Sequence, residues 1–248
     1  MTSEKFRPIR LYTSQLPGAG LSGHTIELDR EQSHHARRVL RLRLGDVVEL
    51  FDGLGRVGRG VIEKWTQGAQ IRLSMVHDVA PLVPAIEIAT AIPKGSRADT
   101  MIEQLNQLGV ARLIPLLTTH SVVNPRSAKR QRFARVAAES AKQCGGAFIM
   151  KINEPSTVEQ VVQLGHDTLL ITQPRSQAPP DLAANLTTAK RVLILIGPEG
   201  GWTDQEIQQV EKAGGRPWSV GPQVLRVETA AAMAAAVARY LAGWAQLG

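Results

Sequence analysis

Residues 191–206, RVLILIGPEGGWTDQE, constrain the fold more than any other stretch of the chain. The apolar run 192–196 leaves no polar face, which is the pattern of a strand covered on both sides. It ends at Gly197-Pro198-Glu199-Gly200-Gly201, where proline breaks regular structure and the glycines let the backbone turn tightly. A helix start follows at once. Thr203 and Glu206 have the spacing of a capping box, and Trp202 and Ile207 that of a hydrophobic staple. Strand, glycine turn and helix N-terminus in this order form a ligand-binding arrangement in α/β proteins, because backbone N–H groups and the helix dipole converge just past the strand. The same order also serves as a plain β–α turn.

That element sits in a longer alternation. Apolar strand-like runs at 85–92, 111–117, 149–152, 168–172, 192–196 and 218–220 are interleaved with helical segments at 98–108, 127–142 and 157–164. The alternation predicts a mostly parallel sheet with helices on both faces. Ser156 with Glu159 gives a second capping box. A last helix is expected from about Thr229, through an alanine run at 230–236 broken only by Met233. Residues 1–80 read differently, with short strand-like runs at 9–13, 47–51, 57–64 and 70–75 and one helix near 30–40 capped by Asp29. VAPLVP at 79–84 is a linker, because two prolines interrupt regular structure. The predicted organisation is a β-rich unit over 1–80 and an α/β unit over 81–248.

With 248 residues, 43% of them hydrophobic, the chain can build one large packed unit or two modest ones. No apolar run approaches the roughly 20 residues of a membrane-spanning helix, and no export signal is legible, so a soluble cytoplasmic protein is expected. A single cysteine, Cys144, excludes an internal disulfide and a cysteine metal cage. No His, Cys, Asp and Glu group has metal-ligand spacing, so no metal is expected. The net charge of +7 suits a polyanionic partner. Arg37, Arg38, Arg41 and Arg43 form one basic cluster, and Arg126, Lys129, Arg130, Arg132 and Arg135 another. Such clusters suit phosphates, although a solvated face gives the same pattern. Aromatic residues are only 4%, so base stacking is not expected to be the main means of holding RNA. Gly53-Leu54-Gly55-Arg56-Val57-Gly58 matches the dinucleotide pattern G-x-G-x-x-G, but strand-like residues follow where a helix is required. Asp52-Gly53 is a hairpin signal, so a hairpin without a nucleotide is expected.

Several motifs then fall in one order. HHARRVLRLRLGD at 34–46, FDGLG at 51–55, PKGSRADTMIEQLNQLGV at 93–110, PLLTTHSVV at 115–123, IGPEGGWTDQE at 196–206 and VGPQVLRVETAA at 220–231 together resemble the ribosomal RNA small subunit methyltransferase E family of the SPOUT superfamily. The resemblance implies a PUA-like, RNA-binding β-barrel over 1–80. Over 81–248 it implies an α/β domain with a trefoil knot that binds the cofactor and forms a homodimer. It further implies S-adenosylmethionine as cofactor and methylation of uridine N3 in the decoding region of 16S rRNA, on the assembled small subunit and without a metal. The alternatives are a SPOUT ribose 2′-O-methyltransferase acting on other RNA and a non-catalytic ribosome assembly factor.

Cofactor contacts are expected from loops at the carboxyl ends of strands. These are Thr172, followed by Gln173 and Pro174; then Ile196, Gly197, Pro198, Glu199, Gly200 and Gly201; then Val220, Gly221, Leu225, Thr229 and Ala230. A Cβ at Gly200 or Gly201 is expected to obstruct the ligand. Uridine N3 carries a proton at neutral pH, so the acceptor site needs a proton acceptor or a stabilising positive charge. Arg226 and Glu228 are the catalytic candidates. Arg226 would stabilise charge on the uracil carbonyls, and Glu228 would orient the site or take the proton. The same two residues also read as a helix cap and its ion-pair partner, and Glu199 as either an alternative base or a side chain that holds its own turn. RNA contacts are expected from Arg7, Arg10, Arg37, Arg38, Arg41, Arg43, Lys94 and Arg97. His120, and Gly145-Gly146 after Cys144, stand where the family often has arginine, and both are expected on the RNA-facing surface.

Overall fold

The computed structural model describes residues 8–123 and 127–243, so Arg7 and Arg126 lie outside the described residues. Two units are formed, one drawn from Met1–Pro81 together with Ala141–Ile149, the other from Leu82–Ser140 together with Met150–Gly248.

In the first unit β1 (Ile9–Tyr12), β2 (Thr25–Glu27), β3 (Val47–Phe51), β4 (Arg56–Trp65) and β5 (Ala69–Asp78) make one sheet in the order β1-β3-β4-β5-β2. β1 runs parallel to β3 and the other pairings are antiparallel. Alternate residues such as Val48, Leu50, Ile62, Ile71 and Leu73 meet in its core. The G-x-G-x-x-G segment is the β3–β4 hairpin, turning at Gly53 with φ +73, and no helix follows it. Helix α1 (Arg30–His34) starts at Asp29, whose carboxylate accepts the Gln32 N–H at 2.7 Å. It then widens into a π-turn over His35–Val39, where the Leu40 N–H reaches back to the His35 carbonyl at 3.0 Å.

Residues 141–149, which the sequence assigns to the second unit, close the first. The Gly55 N–H donates to the Ala147 carbonyl at 3.1 Å and the Ile149 N–H to the Gly53 carbonyl at 2.9 Å. Beneath these bonds Phe51, Val57, Ala141 and Ala147 form an apolar cluster with Tyr12 and Phe148 packed against it. The strand expected at 149–152 is shortened accordingly to Lys151–Ile152. Arg10, expected to face RNA, belongs to this closure. Its guanidinium donates to Glu49 at 2.6 Å, to the Ala141 carbonyl at 2.9 Å and to the Gly146 carbonyl at 3.1 Å, and it covers the Phe51 ring at 4.6 Å. With 10% of its side chain exposed, Arg10 is a structural residue and the expectation of an RNA contact is withdrawn. The Gly145-Gly146 turn is likewise spent on receiving Arg10.

The second unit is a mixed α/β fold around a parallel sheet. It contains β6 (Ala85–Thr90), α2 (Ser96–Gln107), β7 (Arg112–Leu117), α3 (Ser127–Cys144), β8 (Lys151–Ile152), β9 (Ser156–Thr157), α4 (Val158–Val162), β10 (Thr168–Thr172), α5 (Leu182–Thr188), β11 (Arg191–Ile196), α6 (Asp204–Lys212), β12 (Arg216–Trp218) and α7 (Val227–Leu241). The strand order is β12-β10-β11-β6-β7-β8, with β9 also on β7, and every pairing is parallel. On one face Val158, Val161 and Val210 of α4 and α6 pack with Leu169, Ile171, Leu193 and Leu195. Against the other, α7 lies on β6 and β11 with α2 and α5 beside it. The fully buried Ala231, Ala234, Ala235 and Ala238 recur at helical spacing and let α7 come close to the sheet.

Local signals misplace some boundaries. The second capping box forms one residue later than expected, from Thr157 and Gln160, since Gln serves at that position as well as Glu. The last helix starts at Val227 with Arg226 as its N-cap, and β12 ends at Trp218 instead of starting there.

Arg239, near the end of α7, is 3% exposed and has no carboxylate partner among the described residues. Its Nη1 donates to the Pro84 carbonyl at 2.7 Å and its Nη2 to the Gly109 carbonyl at 2.9 Å, tying α7 to the start of β6 and to the turn after α2. Burial pulls its guanidinium down to about 10, so it remains charged at neutral pH. Arg239→Met keeps much of the stem but strands two carbonyls. The expected loss is about 2–4 kcal/mol, read as a lower urea midpoint at unchanged m-value.

Candidate active site

β10, β11 and β12 are neighbours in the sheet, and the loops leaving their carboxyl ends line one cleft. Open parallel sheets hold ligands at this end. Thr172 contributes from the first loop, with Gln173 and Pro174; Ile196, Gly197, Pro198, Glu199 and Gly201 from the second; Val220, Gly221 and Leu225 from the third, with Ala230 on α7. Trp202, Trp218 and Val224 also line it. Reading Trp202 only as a staple residue missed this role. Thr229 is exposed and lines no part of the cleft. Because α7 begins earlier than expected, Val227 and Ala230 take the cleft-facing turn and residue 229 points away.

The glycine turn is held by its neighbours. The Trp202 indole donates its Nε1–H to the Thr172 carbonyl at 3.0 Å, and its ring lies so close to Gly197 that a Cβ there would sit 3.0 Å from it. Gly201 adopts φ +74, and its N–H closes the turn on the Pro198 carbonyl at 2.9 Å. A Cβ at Gly201 would meet nothing within 4 Å, whereas one at Gly200 would lie 2.8 Å from the Cβ of His120. Gly201 lines the cleft, so a Cβ there would enter its open space. Backbone conformation demands glycine at 201, and a packed side chain demands it at 200. Gly200 does not line the cleft. His120 is exposed, and its Nδ1 lies 3.1 Å from the Gly201 carbonyl.

The capping box of α6 forms as expected and reaches further. The buried Glu206 carboxylate accepts the Thr203 N–H at 2.9 Å on one oxygen and the Thr119 N–H at 2.9 Å on the other. Burial pushes the Glu206 carboxyl up, but the hydrogen bonds from Thr203 and Thr119 outweigh it and hold the group below the usual glutamate range.

Charges gather beside the cleft. Arg226 is exposed, and its side chain makes no hydrogen bond or ion pair among the described residues. Glu228 sits in the first turn of α7 with its side chain 12% exposed, and its buried Oε2 accepts no hydrogen bond. Arg97, at the start of α2, lies between two carboxylates, with Nη1 3.1 Å from Glu199 Oε1 and 3.7 Å from Glu228 Oε2. β6 adjoins β11, which brings its exit loop beside the glycine turn. Arg97 thus takes the partner's role that the cap-and-ion-pair alternative gave to Arg226. Lys94, just before α2, is exposed. Among the described residues no group of three His, Cys, Asp or Glu side chains can hold a metal, and no helix is long and apolar enough to cross a membrane.

In the first unit Arg37, Arg38, Arg41 and Arg43 are all exposed, with Arg37 over the Trp65 ring at 5.5 Å. The second basic cluster is partly neutralised, since Arg130 pairs with Glu154 and Arg132 with Asp99.

Two family models match the chain, an RNA methyltransferase domain over residues 81–239 and an RNA methyltransferase PUA domain over residues 28–66. A ribosomal RNA small subunit methyltransferase E of Synechocystis is 33% identical over 217 residues, covering 86% of this chain and 72% of that protein. The chain belongs to the ribosomal RNA small subunit methyltransferase E family. The member from Mycobacterium tuberculosis is 29% identical over 235 residues, 90% of this chain and 88% of that one. A Legionella pneumophila protein solved with bound S-adenosylmethionine superposes with a TM-score of 0.79 at 31% identity, covering 94% of this chain and 98% of the other. The Neisseria gonorrhoeae family member, at 23% identity and a TM-score of 0.84 over 95% of this chain and 98% of its own, shares the fold.

Two measurements check the turn. Gly200→Ala is expected to cost about 1–3 kcal/mol by overpacking against His120, lowering the thermal midpoint, and adding His120→Gly should restore most of it. A loss that persists in the double variant would place the obstruction elsewhere. Glu206 has a folded value below the unfolded one of about 4.3. Its contribution is therefore present above that pH and lost as pH falls through the folded value. The advantage of the native protein over Glu206→Gln, read from urea midpoints, should be full at pH 7 and shrink below about pH 4.

Proposed function

We propose that the chain uses S-adenosylmethionine to methylate N3 of a uridine in the decoding region of 16S rRNA, on the assembled small subunit. The observation that carries this reading is a buried carboxylate oxygen of Glu228, without a hydrogen bond among the described residues, next in the chain to the cleft-lining Val227 and 3.7 Å from the Arg97 guanidinium. The cleft suits the cofactor. Ile196, Pro198 and Leu225 give apolar walls for a flat heterocycle, the turns at Gly197 and Gly221 bring backbone groups to its edge, and the Glu199 carboxylate suits a cationic sulfur or ribose hydroxyls. When bound, S-adenosylmethionine supplies a methyl carbon on a positively charged sulfur that departs as a neutral thioether.

The rest of the chemistry falls to this chain's side chains. Leaving Glu228 Oε2 unpaired costs about 1–3 kcal/mol. The uracil N3–H is the donor it lacks, and Glu228 takes that proton as the nitrogen lone pair turns to the methyl carbon. Arg226 stabilises the negative charge that develops on the flanking carbonyls. Cytosine carries an acceptor at N3 and offers that oxygen nothing. In this reading the second unit is a knotted SPOUT domain that forms a homodimer. The first is a PUA-like barrel whose Arg37, Arg38, Arg41 and Arg43 meet rRNA phosphates, and Lys94 adds a contact from the second unit. The protein acts in the cytoplasm.

The test is transfer from labelled S-adenosylmethionine to small subunits that lack the modification. Label is expected in 3-methyluridine, and none with naked rRNA. Label in another nucleoside would overturn the base assignment. Arg226→Ala should bind the cofactor normally and lose about 100-fold or more in turnover. Reversing the four arginines to glutamate should weaken subunit binding and flatten its salt dependence.

A further inference from the structure

Arg97 is shared unequally. It donates to Glu199 Oε1 at 3.1 Å, while Glu228 Oε2, at 3.7 Å, feels its charge without receiving a hydrogen bond. The two carboxylates also differ in surroundings, since the Glu199 side chain is 48% exposed and that of Glu228 12%. An exposed ion pair contributes little. A carboxylate as enclosed as Glu228 is another matter. Take away its neighbouring cation and a charge is stranded in a poorly solvated place, which turns the group away toward water. Turned away, it no longer meets a proton on a substrate. A guanidinium bonded directly to Oε2 would be equally unhelpful, because it would occupy the lone pairs that the substrate needs. Glu228 stands in the first turn of α7, where the helix dipole adds positive potential.

We propose that Arg97 is a positioning residue for methyl transfer, its charge holding the Glu228 side chain in place from 3.7 Å while its hydrogen bond goes to Glu199 and leaves Glu228 Oε2 open to the uracil N3–H. This rests on the reading of Glu228 as proton acceptor. The test uses Arg97→Gln and Arg97→Lys in the full chain, with small subunits lacking the modification. Arg97→Gln is expected to lower kcat about 100-fold while KM for S-adenosylmethionine and subunit affinity stay within about threefold. Arg97→Lys, which keeps the charge, should recover about tenfold of the loss. A fall in subunit affinity with kcat intact would overturn the proposal and make Arg97 a phosphate contact.

A second measurement needs no turnover. Urea midpoints of Arg97→Gln, Glu228→Gln and the double variant form a cycle. Arg97→Gln should lower the midpoint, and the double variant should lie at or above it because the stranded charge is gone. Additive shifts would overturn the proposal. Coupling in the cycle together with label at a position other than N3 would overturn the catalytic role and leave the ion pair established.

Discussion

β11 has no side that tolerates water. Its residues 192–196 are all buried, and it lies between β10 and β6 within the sheet. Both faces must therefore be covered, and much of the second unit follows from that demand. The alanine stripe of α7 answers it on one side and the valines of α4 and α6 on the other. Polar work is left to the strand ends. At the amino-terminal end the buried Glu87 of β6 receives Arg112 of β7 at 2.8 Å and Arg191 of β11 at 3.0 Å, which pins three neighbouring strands together. Such a network is costly to break and fixes register more than it adds net stability. The carboxyl-terminal end is thereby free to carry loops whose geometry serves a ligand.

The turn after β11 joins three separate physical requirements in five residues. Gly201 needs an unusual backbone angle, Gly200 needs the space taken by His120, and Gly197 needs the space taken by the Trp202 ring. Nearby, one side chain departs from ordinary pairing, an enclosed Glu228 carboxylate oxygen that has no donor among the described residues. Departures of that kind concentrate where a protein trades stability for chemistry.

Much of this was legible from sequence wherever the cause was local. The strand, the turn and the Thr203–Glu206 cap sit within sixteen consecutive residues and enforce one another. Asp52-Gly53 announced a hairpin against a misleading glycine motif. What stayed hidden depends on neighbours distant in sequence. Arg97 stands beside Glu199 only because β6 pairs with β11, a fact of strand order. Arg10 carries an ordinary surface charge until residues 141–146 arrive to accept it. β2 is three residues long and exists through pairing with β5, and α5 carries a single buried apolar pair, Leu182 and Leu186, in seven residues. A glycine announces itself in a sequence, but not whether space or backbone angle requires it.

The closure of the first unit by residues 141–149 bears on how the chain acquires its structure. As synthesis proceeds from the N-terminus, the β3–β4 hairpin is complete long before those residues exist. Phe51 and Val57 must wait with one side uncovered while β6, α2, β7 and most of α3 are made. Contacts spanning so much sequence close late and slowly. The simplest sequential scheme, in which the N-terminal unit finishes before its successor begins, is unavailable to this chain. A fragment ending at residue 81 would carry a bare apolar surface and be prone to aggregate.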